Sequence, residues 1–257
     1  MIEVKTSLPE GALLGPEQHH LKTHLEAAKA VWFCGPDARI HTKTEGETTW
    51  VTGWDSSTGA ITALPSRANK SGGRFDADAP IPAITLKAGQ HCGYSANGIA
   101  KSAERFTVAV IYRSEQRDGR TLFSVAGEDK SNMLFANENK GILSVVDRSN
   151  TLQVICDAPK VDNDRHALLV ASYETGKLRV ALNGETVGEA RGEVPGLGGT
   201  AELFIGCRNH RSGILKTVGA GRISDLFYWP ERTLIGPASV PIDPSLTLLY
   251  DFWRWNR

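Results

Sequence analysis

Between Phe106 and Trp229 the chain repeats one device: a short apolar run of strand period, cut by a polar turn, with no helical spacing in between. In Phe106–Arg113, Phe106, Val108, Val110 and Tyr112 fall on one face and Thr107, Ala109, Ile111 and Arg113 on the other. That is the period-two alternation of a strand. A polar turn at Ser114–Gly119 separates this run from Thr121–Val125. Further runs are Met133–Ala136, Ile142–Val146, Leu152–Cys156, Ala167–Tyr173, Leu178–Leu182, Glu202–Cys207, Ile223–Tyr228 and Leu246–Tyr250. Asn183-Gly184 stands between Leu182 and Glu185-Thr186-Val187. A two-residue mirror-image turn needs positive φ at both central positions, which this dipeptide accepts, so a hairpin is predicted there.

Many short strands without intervening helices argue against an α/β fold. Strands with one apolar face must bury it, and two such sheets meeting face to face are the economical solution. The reading is therefore all-β, a sandwich of two antiparallel sheets, with a closed barrel as the structural alternative. One helix is predicted, over Glu17–Ala30, where Leu21, Leu25 and Ala28 recur at helical spacing behind Pro16. Its apolar stripe is thin, so it packs against something larger. The division that follows is an N-terminal extension over residues 1–30 and a sandwich domain over 31–257. At 257 residues the chain is within the range that large sandwiches reach as one domain.

Charge narrows the partners. Twenty-nine basic residues balance twenty-nine acidic ones, which gives no global attraction to nucleic acid or to an anionic membrane surface. No apolar run is long enough to insert in a bilayer, and Met1-Ile2-Glu3-Val4-Lys5 does not lead into a signal-peptide core. Cys34, Cys92, Cys156 and Cys207 lack the short paired spacings of a zinc site and read as small buried thiols, with a disulfide as the alternative.

Several segments carry a family likeness: Phe106-Thr107-Val108-Ala109-Val110, Thr121-Leu122-Phe123-Ser124-Val125-Ala126-Gly127, Leu178-Arg179-Val180-Ala181-Leu182-Asn183-Gly184 and Leu203-Phe204-Ile205-Gly206. Gly221–Trp229 and Leu234 close the pattern, and Trp32-Phe33 with Val51–Gly59 precede it. Together they resemble the concanavalin A-like lectin/glucanase superfamily, in its laminin-G-like branch of bacterial or phage type. The resemblance implies a jelly-roll sandwich whose curved sheet meets glycans, and a place on a cell surface or a virion particle.

Catalytic motifs are missing. Glucanases of that superfamily carry Glu-x-Asp-x-x-Glu on one strand, so that alternation brings the first two carboxylates to one face. The nearest local match, Asp76 and Asp78, lacks the third acid. Gly93-Tyr94-Ser95-Ala96-Asn97 has Asn97 where a nucleophile elbow needs glycine. No catalytic residue is therefore assigned. The candidate ligand-binding residues are Arg208, Asn209, His210 and Arg211, four polar side chains in a row after an apolar run, with Trp54 as a stacking platform. Trp253 and Trp255 are candidates for a contact with a partner subunit. His20 and His24, one helical turn apart, invite a metal reading but lack a zinc-protease pattern. No cofactor is required. Calcium is the one metal considered, with Asp157, Asp162 and Asp164 as candidate ligands, because hard oxygen donors suit it. The leading functional expectation is a non-enzymatic, lectin-like module for a glycan or polysaccharide. The alternatives are a structural subunit of a virion or surface assembly without glycan specificity, and a polysaccharide-acting enzyme.

Overall fold

The computed structural model describes residues 16–35, 40–57, 60–70, 72–76, 79–129, 132–160, 165–194, 196–212, 217–237 and 239–256. The chain opens with α1 (Pro16–Ala27), followed by β1 (Val31–Cys34), β2 (Ile40–Glu45), β3 (Thr48–Asp55) and β4 (Thr62–Pro65). Then come β5 (Arg74–Asp76), β6 (Ala83–Leu86), β7 (Tyr94–Ala100), β8 (Arg105–Arg113) and β9 (Arg120–Ala126). The next strands are β10 (Met133–Asn139), β11 (Ile142–Asp147), β12 (Gln153–Asp157) and β13 (Ala167–Glu174). The last elements are β14 (Lys177–Leu182), β15 (Glu185–Arg191), β16 (Ala201–Ile205), β17 (Gly221–Pro230) and α2 (Pro244–Asn256).

The strands form two antiparallel sheets. One has eight strands in the order β15-β14-β13-β8-β17-β6-β5, with β1 also paired to β17. The other has nine, in the order β12-β11-β10-β9-β16-β7-β4-β3-β2. This is the expected all-β sandwich with a short N-terminal helix. Phe106, Val108, Val110 and Tyr112 of β8 point between the sheets, where they meet Phe123, Val125, Leu203 and Ile205 of the opposite layer. The Asn183-Gly184 hairpin is present, with φ of 53° and 91° and Leu182 opposite Glu185.

The middle strands of the eight-stranded sheet, β13, β8 and β17, are buried on both faces. Ala109 and Ile111, on the far side of β8, join Trp32, Leu168, Val170, Phe227 and Trp229 in a second apolar cluster beneath α1 and α2. Helix α1 contributes Leu21 and Leu25, both buried, each worth about 1.5–3 kcal/mol of transfer free energy. It ends at Lys29, which adopts a φ of 52° while the Ala30 N–H reaches Leu25 O at 2.8 Å and the Lys29 N–H reaches Glu26 O at 3.0 Å. That is a Schellman ending without the usual glycine.

One expected strand is corrected. Leu246–Tyr250 lies in α2, because Leu246, Leu249, Tyr250, Phe252 and Trp253 repeat at helical rather than strand spacing and all are buried against the sheet. Asp243 caps the helix, its Oδ1 accepting from Ser245 N at 2.8 Å, and Pro244 takes the first helical position. Strand β2 escapes the sequence pattern because it is exposed almost throughout. Strand β7 escapes it because Gly98, at φ 64°, interrupts its alternation.

Candidate functional site

The loop that follows β16 is set by Gly206. Its φ is 67°, and a Cβ there would come 2.8 Å from Leu86 Cδ1. Glycine therefore lets the chain turn where a side chain would be strained and crowded. The loop then folds back across the outer face of the nine-stranded sheet. On that face Phe135, Ser124, Phe204 and Ser95 stand side by side on neighbouring strands. The Arg208 guanidinium lies 4.0 Å from the Phe135 ring centroid, donating from Nε to Thr121 Oγ1 at 3.3 Å and from Nη2 to Asn137 Oδ1 at 3.4 Å. Burial, with Arg148 nearby, lowers its pKa from the ordinary arginine value.

His210 sits edge-on to Phe204, with ring centroids 5.1 Å apart at 76°. Its Nδ1 accepts from the Arg67 backbone N–H at 3.1 Å. In the neutral ring the remaining proton therefore sits on Nε2, which lies 2.9 Å from Oε1 of the buried Glu202. Both ring nitrogens are thus engaged, and the imidazole acts as a clamp between β16 and the loop after β4. Asn209 accepts from Arg211 N through Oδ1 at 2.8 Å, which turns its amide NH2 the other way.

These contacts leave a cleft of about 400 Å³ lined by Arg67, Ala126, Glu128, Asp129, Met133, Phe204, Asn209, His210 and Arg211. Its floor is apolar and its rim is charged. Arg67 is positioned by a loop pinned at the buried Asn69, which donates to Gly93 O at 3.0 Å and accepts from Gly72 N at 2.8 Å. The Glu128 N–H bonds Gly198 O at 3.0 Å. The lining thus combines Arg67, Arg211 and Asn209 with the carboxylates Glu128 and Asp129 and with the apolar Phe204, Met133 and Ala126. Such a lining can take a ligand that both donates and accepts hydrogen bonds and also has an apolar face.

The structure brings Arg208, Asn209, His210 and Arg211 to one place but divides their roles. Asn209, His210 and Arg211 line the cleft, whereas Arg208 is spent on Phe135, Thr121 and Asn137. Trp54 is a correction: it is fully buried between the sheets, tilted against Phe33 with centroids 5.6 Å apart, and donates to Cys34 O at 3.3 Å. No ligand can stack on it. Trp253 is a second correction. A helix turns about 100° per residue, so the two indoles leave α2 in different directions. Trp253 is buried, its Nε1 donating to His166 O at 2.8 Å, while Trp255 is 77% exposed. Asp157 ends β12 opposite Ile142, and Asp162 and Asp164 lie outside the described residues. Among the described residues no group of three or more His, Cys, Asp and Glu could hold a metal ion. His24 meets Ser245 Oγ at 2.9 Å instead.

Arg67, Glu128, Asp129, Met133 and Glu202 belong to the site but carried no sequence signal. They come from four separate connections and strands, and only the folding of the loop over the sheet joins them. No disulfide joins the four cysteines among the described residues. Burial pushes the Cys207 thiol up to about 12 and raises Cys92 as well, which keeps both protonated and poor nucleophiles.

No family model and no curated protein sequence matches this chain. Among solved structures, the receptor-binding domain of botulinum neurotoxin type G aligns with a TM-score of 0.50 at 12% identity, covering 84% of this chain and 51% of that one. A Trypanosoma rangeli sialidase in complex with sialic acid aligns with a TM-score of 0.51 at 12% identity, covering 88% of this chain and 33% of that one. The fold is a jelly-roll sandwich of two antiparallel sheets. This chain spans about half the length of the toxin domain and a third of the sialidase. At such identities the likeness concerns the fold alone.

Proposed function

We propose that this protein is a non-enzymatic, lectin-like module that holds a glycan in the cleft beneath the Arg208–Ser212 loop. The observation that carries the reading is the lining, which combines arginine and amide donors, two carboxylates and an apolar floor. A sugar ring presents hydroxyls that donate and accept, together with an apolar face of C–H groups, and this lining answers both. The missing Glu-x-Asp-x-x-Glu strand motif of the glucanases supports binding over turnover. The finer reading keeps the laminin-G-like branch and a place on a bacterial surface or phage-like particle.

The test is a glycan array followed by calorimetric titration of the strongest hits, including bacterial surface polysaccharides. Arg211→Ala, at an exposed position, should weaken binding at least tenfold, about 1.4 kcal/mol, with the melting temperature unchanged. Full binding by that variant, or a folded protein that binds nothing on a broad array, would refute the assignment. Release of reducing ends from any bound polysaccharide would replace it with the enzymatic reading.

A further inference from the structure

A second cleft, of about 420 Å³, opens between the β14–β15 hairpin and the last turn of α2, lined by Arg165, Asn183, Trp253, Arg254 and Trp255. Its chemistry differs from that of the first. Arg165 lies over the Trp253 indole at 5.3 Å and donates from Nη2 to Arg254 O at 3.3 Å, which holds its guanidinium at the mouth. Asn183 Oδ1 accepts from Leu168 N at 3.0 Å, so its amide NH2 points away from that bond as a fixed donor. Trp253 Nε1 is already committed to His166 O. Arg254 meets Asp251 at 3.9 Å between two well-exposed side chains, a contact too long and too solvated to fix it. Trp255 presents its indole with 77% exposure.

We propose that this cleft binds an acidic pyranose, a sugar ring bearing a carboxylate. Among the described residues of this lining, two guanidiniums and an amide NH2 are the polar side-chain groups and all are donors, which match an acceptor-rich anion better than neutral hydroxyls. The Trp255 indole supplies a flat surface for the apolar side of the ring. In the first cleft Glu128 and Asp129 join the arginines in the lining and repel a carboxylate, so the two sites are distinct in ligand class and this assignment does not depend on the first.

The experiment titrates the full chain with methyl β-D-glucuronide and with methyl β-D-glucoside, following indole and side-chain amide signals by NMR. The expected result is glucuronide binding with a Kd of about 1 mM and glucoside binding at least tenfold weaker. Trp255→Ala and Arg165→Ala should each weaken the glucuronide at least tenfold, whereas Arg211→Ala should leave it unchanged. Trp255 is exposed enough that its removal spares the fold, so its variant remains informative should Arg165→Ala unfold. Equal binding of the two glycosides, no shifts with glucuronide, or full affinity in Trp255→Ala overturns the proposal. Loss in Arg211→Ala overturns it too, because the glucuronide would then occupy the first cleft.

Discussion

Replacing Arg208 with alanine tests whether the loop after β16 belongs to the scaffold. The guanidinium stands 4.0 Å from the Phe135 centroid in a half-buried setting, worth about 1–2 kcal/mol as a cation–π contact. Its hydrogen bonds to Thr121 and Asn137 are long, 3.3 and 3.4 Å, and contribute about 0.5 kcal/mol each. Phe135 is only 7% exposed, and uncovering roughly 40 Å² of it costs about 1 kcal/mol more. The sum is about 3–4 kcal/mol. For a chain of this size that lowers the melting temperature by about 6–16 °C. Arg208→Lys should recover less than half, since a lysine ammonium cannot span Thr121 and Asn137 as a planar fork does. Thermal unfolding followed by circular dichroism reads the effect, with Arg211→Ala, expected within about 0.5 kcal/mol of the parent, as the control. A shift below about 2 °C in Arg208→Ala would refute the claim that this side chain fastens the loop to the sheet.

Two further outcomes follow from single positions. Gly127→Ala would set a Cβ 1.6 Å from Leu197 O and 2.3 Å from Gly198 O; both are backbone atoms, so urea denaturation should show a loss of at least about 3 kcal/mol. Burial raises the pKa of Glu138, although the Gly119 N–H at 3.4 Å and the nearby Arg117 offset part of it. The folded state therefore holds that proton more tightly than the unfolded one. Its contribution is greatest below the ordinary Glu value, about 4.3, and is lost as pH rises through the higher folded value. Glu138→Gln should remove that decline, so that the urea midpoint of the parent relative to the variant falls across this window and is flat above it. Parallel pH profiles for the two proteins would contradict the argument.

The sequence by itself determined the fold class. Alternation in Phe106–Tyr112, repeated in run after run, requires a buried face on each strand, and the Asn183-Gly184 turn requires its hairpin. These are local consequences of side-chain period and φ preference. The same local logic failed in α2, where Leu246–Tyr250 is too short to tell strand from helix, although Asp243-Pro244 ahead of it is a capping signal. Trp54 and Trp253 show the other limit. Composition marks an indole as either platform or core, and only burial against Phe33 or against the eight-stranded sheet decides which. The row from Arg208 to Arg211 was legible as a cluster, but not its division into Arg208, held by Phe135, and Arg211, turned to solvent. Nor could the sequence bring Arg67, Glu128 and Glu202 to that cluster. Their proximity depends on strand order across the nine-stranded sheet and on a single positive φ at Gly206. That order is set by the packing of the two layers, which no local segment encodes.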